Sequence, residues 1–458
     1  MKKLLLIASV IAAASCYAQS NTEQQTAFEE KSVKQEESAN KPQLIISGSA
    51  EVHANFTSPD HTYYENNGDG HGRGYKKANK DSTMTRICAG EANIAFEAKG
   101  ALDNGLKYAA IIDIDTMKDD TGVDKMYVKF SRAGFGTLEM GNVKGPDAKF
   151  IYDGQRLLGG TCGVDGTVVH DIDYAPGVVS PVYMIGYTNK ATKVAYYSPK
   201  IWGFQFATAI TPDTKQHGHN DKDWHAGSAS NGNDNGMFLK GDGKQKPSGR
   251  NNIVFALSHS HEFENGLTTR LSGVYLFEDT KALDVKSRTS YTNSDLKSYD
   301  DIELRNARSY HLSATVGYKQ LQIGAGFINN GKSRTPKNAS EFTNIGNFLS
   351  TEKANAGRAW NIGAKYTLDD HWAFSTVFHK TQRRVDEGQK TKGNMLTFAV
   401  EYKVCDGLML FTEFDHISTK STKTACDRYN MIFSDDKDKN AIKKQKCQLL
   451  AIGAKVSF

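Results

Sequence analysis

Acidic and basic side chains are concentrated in one long segment, residues 143–190. Up to residue 189 it contains five acids and three bases, so it is acidic by two charges. The acids are Asp147, Asp153, Asp165, Asp171 and Asp173, and the bases are Lys144, Lys149 and Arg156. Opposed charges across a narrow polar gap create a field that selects among small solutes. No nucleophile motif stands beside His170 and Asp171, so the pattern indicates a charged filter and not a catalyst.

A second group of ligand-type side chains lies in residues 211–250. Imidazoles and carboxylates at such positions could bind zinc or copper. The stretch is rich in glycine and asparagine and lacks the spacing of an established site, so a surface loop is favoured over a metal centre. We expect no metal and no cofactor. The residues concerned are His217, His219, His225, Asp213, Asp221 and Asp223.

The N-terminus has the pattern of a secretory signal peptide. Lys2 and Lys3 precede an eleven-residue apolar run, which is too short to span a bilayer, and small residues precede Gln19. We therefore predict a signal peptide over residues 1–18. Acylation of Cys16, as in a lipoprotein, is an alternative with a poorer sequence match. Residues 19–42 are rich in Glu, Gln and Lys and are predicted to form a flexible periplasmic extension.

Five cysteines remain after export, an odd number, and none lies in a C-x-x-C motif. Export permits disulfides. Cys426 and Cys447 flank one loop and are the favoured pair, while free thiols are at least as consistent with the others. The net charge of +5 is spread along the chain and indicates no nucleic-acid partner.

The rest of the chain alternates apolar and polar residues with a period of two, which predicts β-strands with one apolar face. In the final ten residues, LLAIGAKVSF, Ile452, Ala454 and Val456 share one face, and Lys455 and Ser457 share the other. The same alternation recurs over residues 44–55, 106–115, 125–130, 360–368, 371–379 and 396–402.

The predicted connections fall into a short set and a long set that alternate along the chain. Counting the strands between them gives sixteen, with both chain ends on the short-turn side. The short connections, several of the Asn-Gly or Asp-Gly type, lie at 102–105, 133–134, 201–203, 264–266, 368–370 and 405–407. The long connections are placed at 57–84, 116–122, 143–190, 211–250, 278–306, 329–357, 382–393 and 418–446.

This sorting predicts an all-β fold, a transmembrane antiparallel β-barrel with short periplasmic turns and long external loops. A soluble sandwich would alternate in the same way but would not sort its turns by length. Closure is required because an open sheet edge would leave backbone N–H and C=O groups unpaired in lipid. Aromatic residues near strand ends, such as Trp202, Trp360 and Trp372, agree with interfacial girdles.

Two motifs resemble the sixteen-stranded general porins of Gram-negative outer membranes. Gly134-Phe135-Gly136-Thr137 with Gly141 is similar to the strand that precedes that family's constriction loop, and Val194 to Pro199 with Gly203-Phe204 is similar to the strand pair that follows it. The resemblance covers residues 43–458. It implies a homotrimer latched by the short loop at 116–122, a third loop folded into the barrel, and a terminal aromatic, Phe458, recognised by the outer-membrane assembly machinery.

The segment 143–190 occupies the position of that inward-folded loop, although Lys144-Gly145-Pro146-Asp147 departs from the family's usual loop sequence. The facing wall is expected to be basic. Strand parity predicts that both basic and acidic side chains face inward. The basic residues are Lys107, Lys125, Lys129, Arg270, Lys365 and Lys455, and the acids are Glu51, Glu91, Glu97, Asp113 and Asp115.

The function expected from these features is passive diffusion of ions and small hydrophilic solutes through a water-filled pore in the bacterial outer membrane, surrounded by outer-membrane lipid. A solute-specific channel is the first alternative. An outer-membrane barrel enzyme and a surface adhesin that uses the long loops are further ones, and no enzymatic activity is expected.

Overall fold

In a computed structural model, antiparallel strands make up most of the residues that the structure describes. The structure describes residues 42–64, 75–77, 84–116, 122–166, 183–214, 216–217, 249–280, 304–335, 337, 355–386, 389–421 and 441–458. The first strands are β1 (Gln43–Tyr64), β2 (Tyr75–Lys77), β3 (Met84–Ala101), β4 (Lys107–Asp115), β5 (Val123–Arg132), β6 (Gly136–Asn142), β7 (Thr192–Tyr197) and β8 (Phe204–Asp213). The others are β9 (Gly249–Glu262), β10 (Leu267–Thr280), β11 (Ala307–Tyr318), β12 (Leu321–Asn329), β13 (Asn355–Thr367), β14 (Trp372–Asp386), β15 (Gln389–Cys405), β16 (Leu408–Ser421) and β17 (Ala441–Ser457).

Sixteen of these strands form a closed ring, which confirms the predicted barrel. Each pairs antiparallel with the next, and β17 returns to pair with β1 from Ser49 opposite Ser457 to Tyr64 opposite Ala441. The additional strand, β2, has three residues and pairs with the end of β1. Closure leaves no sheet edge in the ring, so the barrel satisfies its backbone polar groups internally.

Alternation of burial along the strands separates an inner face from an outer face. On β17, Leu449, Ala451 and Lys455 are buried, while Val456 on the opposite face is exposed. The inner face carries many buried polar groups and the outer face carries large exposed apolar side chains. A soluble protein has the reverse arrangement, with apolar side chains inside and polar ones outside. Polar groups inside and apolar groups outside are expected of a barrel that is surrounded by lipid. The part of the chain that the structure describes contains no helix with the length and hydrophobicity needed to cross a bilayer.

The connections follow the predicted order, with two main differences. Within the connection placed at 57–84, β1 continues to Tyr64 and the short strand β2 forms at 75–77. The long connection placed at 382–393 is a hairpin: β14 and β15 pair as far as Asp386 opposite Gln389. The ladder continues because its backbone hydrogen bonds do not depend on side-chain polarity. Thr381 and Arg383 alternate inward with Gln382 and Arg384 outward, and a strand that is polar on both faces has no hydropathy alternation to detect.

The closing strands meet at the chain terminus. The N–H of Gly48 donates to the carbonyl of Phe458 at 3.0 Å, and the N–H of Phe458 donates to the carbonyl of Gly48 at 3.1 Å. A Cβ atom on Gly48 would lie 2.6 Å from Cζ of Phe458 and 2.9 Å from the backbone oxygen of Asn93. The terminal aromatic therefore packs over a position that only glycine fills without displacement.

We predict that Gly48→Ala weakens closure by about 1–3 kcal/mol in the free energy of unfolding, because the new methyl group meets backbone as well as a side chain. Urea titration of the barrel in lipid vesicles measures this change. The matched control is Gly273→Ala on β10, where the nearest atom to an added Cβ is a leucine methyl at 3.4 Å. Equal losses in the two variants would contradict the role assigned to the Gly48–Phe458 contact.

Candidate functional site

The segment between β6 and β7 lies inside the barrel. Its described parts are residues 143–166 and 183–191, and we call them the inner loop. It contains a single helical turn, α1 (Pro146–Lys149), and two 3₁₀ turns, Gly154–Leu157 and Gly163–Asp165. Proline at the start of α1 and glycines at the bends suit a chain that must change direction every few residues.

The inner loop follows the wall strand by strand, held by side chains that face inward. Ser272 on β10 donates to the carbonyl of Phe150 at 2.6 Å. Ser313 on β11 accepts from the N–H of Tyr152 at 2.8 Å. The later contacts are Thr315 on β11 with Tyr152, Asn361 on β13 with Asp153, Ser375 on β14 with Gly159, Glu401 on β15 with Gly160, and Lys455 on β17 with the carbonyl of Gly160. The inner loop therefore covers the wall from β10 to β17.

Glycines allow the backbone of the inner loop to lie directly on the backbone of the wall. A Cβ on Gly154 would lie 2.2 Å from the amide nitrogen of Gly363 and 2.8 Å from the carbonyl oxygen of Gly324. A Cβ on Gly363 would in turn lie 2.6 Å from the carbonyl oxygen of Gly154. Any side chain at these three positions would push the inner loop toward the centre of the lumen.

Glu413 on β16 holds the tip of the inner loop. Its carboxylate accepts hydrogen bonds from the N–H and hydroxyl of Thr161, at 2.6 and 2.8 Å, and from the N–H of Gly163 at 3.1 Å. Glu413 is fully buried. Three donors directed at one buried carboxylate make a strong, directional anchor.

The returning part of the inner loop is fixed by a second set of buried contacts. Asp147 accepts from both the N–H and the hydroxyl of Thr188 at 2.9 Å, which joins the two ends of the inner loop. Asn330 accepts from the N–H of Ile185 at 2.9 Å. Both described ends of the inner loop are thus tied to each other and to the wall.

The predicted acids of the inner loop lie in different environments. Asp147 and Asp153 are buried, and they hold the loop through Thr188 and Asn361, so they do not face an open lumen. Asp165 is partly exposed. Asp171 and Asp173 lie outside the described residues. A role in the constriction remains a prediction for Asp165, Asp171 and Asp173.

The predicted bases of the wall are placed on inward positions, but the acids lie among them. Lys125 pairs with Asp113 at 2.6 Å, Lys365 with Glu401 at 3.2 Å, and Lys455 with Glu51 at 3.2 Å. Lys129 lies opposite Glu139 in the β5–β6 register. Lys107 is exposed near a short turn, and Arg270 is half-buried on β10. The wall therefore carries interleaved charge pairs and not a surface of one sign.

Arg156 joins two parts of the inner loop that are distant in sequence. Its guanidinium donates to Asp165 and to the hydroxyl of Tyr183, both at 2.9 Å, and Tyr183 donates to Asp165 at 3.0 Å. Tyr183 also stacks on Tyr187 with ring centroids 4.1 Å apart. Burial opposes the charge of Arg156, but the oxygens of Tyr183 and Asp165 raise its pKa above the ordinary value, so it remains a cation.

Lys144 is a cation whose charge depends on pH near neutrality. Burial, and after it the nearby positive charges of Lys190 and Lys125, lower its pKa to about 8. Those two lysines are paired with Asp124 and Asp113, whereas Asp165 only partly offsets the effect on Lys144. Lys144 is therefore charged below about pH 8 and neutral above it.

The remaining predicted residues form no metal-binding group within the described ranges. No set of three or more His, Cys, Asp or Glu there could hold a metal ion. His217 lies with a ring nitrogen 3.2 Å from the carbonyl of Asp124, and His219 and His225 lie outside the described residues. Cys447 is buried on β17, and Cys426 lies outside the described residues, so their disulfide remains a prediction.

Sequence reasoning missed the groups that hold the inner loop. Glu413 and Ser375 are inward by parity, and alternation could have identified them as lumenal. Their pairing with Thr161 and Gly159 could not be read from the sequence, because the partners are more than 200 positions apart.

Comparison with known proteins places this geometry in a family. The family model described as Gram-negative porin matches residues 5–422. An uncharacterized protein of Rickettsia prowazekii is 25% identical over 321 residues, covering 64% of this chain and 69% of the relative. An uncharacterized protein of Rickettsia felis is 26% identical over 323 residues, with the same two coverages.

Solved structures show the same fold at low sequence identity. The outer-membrane expressed OmpT of Vibrio cholerae superposes with a TM-score of 0.52 at 13% identity, covering 93% of this chain and 99% of that one. The anion-selective porin from Comamonas acidovorans gives a TM-score of 0.50 at 12% identity, covering 91% and 100%. At this identity the likeness shows the barrel fold alone.

Loss of the Glu413 anchor should widen the channel. In Glu413→Ala, three buried donors lose their acceptor, and each unsatisfied donor destabilises the folded loop by roughly 1–3 kcal/mol. The loop tip should therefore detach from the wall. Single-channel conductance should then rise and become noisier. Planar-bilayer recording measures the change. Glu264→Ala in a short turn is the same substitution at a residue that does not contact the inner loop. A Glu413→Ala channel that matches this control would contradict the anchoring role.

Ion preference should change with pH through Lys144. Raising pH from about 7 to about 9 removes its positive charge, whereas ordinary lysines keep theirs, so the reversal potential in a salt gradient shifts toward cation preference. Lys144→Met should show the shifted value already at about pH 7 and should be insensitive to the same change. A wild-type shift that persists in Lys144→Met would assign the titration to another group.

Proposed function

Since the chain belongs to the family of Gram-negative porins, we propose that it lets ions and small hydrophilic solutes diffuse passively through its lumen. It is an outer-membrane channel of a Gram-negative bacterium, built as a closed antiparallel barrel. Diffusion needs a hydrated, narrowed passage and no catalytic group. We accordingly infer no enzymatic activity.

The observation that carries this proposal is the fixed inner loop. Most of its anchors lie on β9 to β17, and its two ends pair with Glu139 on β6 and Asp124 on β5. The open passage in this proposal therefore runs between the inner loop and the inner faces of β3 to β5. Those faces present half-exposed charges of both signs, among them Glu97, Lys99, Asp115 and Lys129. Paired and mixed charges in a narrow polar passage favour small hydrated solutes over apolar ones. Asp165 and Lys144 on the inner loop face the same passage in this proposal.

We further propose that the channel is a homotrimer that associates through the apolar parts of the outer faces of β17, β1 and β3, below the level of Lys446. Small and aliphatic residues lie side by side there: Ala454 pairs with Val52, and Val52 pairs with Ala89. The outer faces of β13 to β15 instead carry Trp360, Trp372 and Phe398. Small side chains allow two barrels to approach closely, and homo-oligomers close by symmetry.

The outlying segments are assigned by the same proposal. Residues 1–18 act as a signal peptide, residues 19–42 form a periplasmic extension, and residues 43–458 form the pore. Phe458, which is 72% exposed at the end of β17, is available to the outer-membrane assembly machinery before the barrel closes.

The proposal is tested by recording the purified, folded protein in planar bilayers. We expect large, stable openings that occur in threes, with conductance proportional to bulk salt and a small reversal potential in a salt gradient. Proportionality follows because ions in a hydrated pore keep most of their solvent.

Two results would redirect the assignment. Block of the current by one solute at low concentration would replace general diffusion by a solute-specific channel. A correctly folded, heat-modifiable barrel that fails to conduct would exclude the pore function, and openings that occur singly would exclude the trimer.

A further inference from the structure

A dense group of cations lies on the outer face of β13 to β17, toward the ends joined by the long connections and by the β14–β15 hairpin. We call it the outer cationic patch. Its seven side chains alternate with buried inward residues, which places them on the outside of the barrel. They are Arg358, Lys380, Arg384, Lys390, Lys392, Lys420 and Lys446.

On β13 and β14 the patch begins at the first outward residue beyond the apolar band, and on β15 to β17 one or two polar outward residues come between the two. Along β13, Arg358 is the next outward residue after Trp360, about 7 Å further toward the long-loop end. On β14, Lys380 follows Phe378 and lies 5.9 Å from the ring centroid of Trp360. Tryptophan in outer-membrane barrels marks the level of the lipid headgroups. The patch therefore lies at the headgroup level of the leaflet on the long-loop side.

Among the side chains that the structure describes, the patch has no counter-charge. On β13 to β17, none of the outward side chains that the structure describes is a carboxylate. No ion pair links any of the seven cations to a described residue. Elsewhere at this end of the barrel the pattern differs: on β10 the outward Asp279 lies opposite Arg250.

The register also brings like charges together. Lys392 lies directly opposite Lys420, and Arg384 lies directly opposite Lys390. Like charges in directly opposed positions destabilise a sheet. Neighbouring strands are about 4.8 Å apart, so one doubly charged anion can contact two such cations at once. An external anion would remove the repulsion that the described residues leave uncompensated.

We propose that the outer cationic patch binds the phosphate groups of anionic lipids in the outer leaflet of the outer membrane. Phosphate matches the site in charge, and a lipid matches it in position, since its acyl chains would lie along the apolar band below the patch. Arg358 and Arg384 offer planar groups suited to two-point contact with phosphate, and the lysines offer point charges.

The test uses the native tryptophan beside the patch as a reporter. The full-length barrel, with Trp360 as its single tryptophan, is reconstituted in phosphatidylcholine vesicles that contain dibrominated phosphatidic acid or dibrominated phosphatidylcholine. Bromine quenches tryptophan only in contact range. We expect phosphatidic acid to be enriched around Trp360, and this enrichment to fall by about 10-fold or more in Arg358→Gln/Lys392→Gln/Lys420→Gln.

Two matched controls isolate the patch from general attraction. A barrel whose single tryptophan is Trp372, near a short turn at the opposite end, should show no enrichment. Removal of three cations at that end, in Arg132→Gln/Lys200→Gln/Lys319→Gln, should leave the Trp360 signal unchanged. Heat-modifiable migration on gels establishes that each variant is folded.

The alternatives give different results. Equal quenching at Trp360 and Trp372, or quenching at Trp360 that the triple substitution in the patch leaves unchanged, would overturn the proposal. Displacement of phosphatidic acid by millimolar inorganic phosphate would show a site for free phosphate and not for lipid. Tryptophan quenching measures lipid binding independently of conductance. A negative quenching result would therefore leave the proposed pore function unaffected.

Discussion

The pairing of β17 with β1 is the constraint on which the rest of this structure depends. It converts an open sheet, whose edge groups would be unpaired in lipid, into a ring that satisfies its own backbone. Closure also fixes register, and register decides for every strand which alternate residues face lipid and which face the lumen. The terminal Phe458 and the glycine opposite it are part of this closure, because the last backbone hydrogen bonds of the ring are theirs.

Once closed, the ring supplies a polar interior that would be wide without the inner loop. The inner loop narrows this interior by lying against the wall. It lies there because the backbone polar groups of a loop buried inside a barrel need hydrogen-bond partners, and the wall provides them. Serine, threonine, asparagine and glutamate side chains on successive strands provide these partners, and glycines remove the side chains that would prevent contact. The lumen thus takes its shape from the hydrogen bonds of the inner-loop backbone. The charged groups that these contacts leave over are those on which the proposed selectivity depends.

The sequence predicted the fold in detail and the site only in outline. Period-two alternation and sorted turn lengths were sufficient for the strand count, because both are local signals. The hairpin at 382–393 was taken for a loop because both of its faces are polar. Asp147 and Asp153 were expected at a constriction, but composition does not distinguish a carboxylate that faces water from one that anchors a backbone amide. That distinction depends on contacts such as Asp153 with Asn361, between residues 208 positions apart.

The lumen and the outer cationic patch differ in how their charges are paired. Inside, Lys125, Lys365 and Lys455 each lie against a carboxylate, because a buried charge in a narrow lumen is costly without a partner. Outside, Lys392 of β15 faces Lys420 of β16, and neither pairs with a carboxylate among the described residues. A barrel sequence free to place glutamate at those positions, as it does throughout the lumen, would gain stability by doing so if water alone surrounded them. Their uniform sign is therefore best understood as complementarity to the membrane: the lumen carries its counter-charges in the protein, and the outer surface takes them from the lipid.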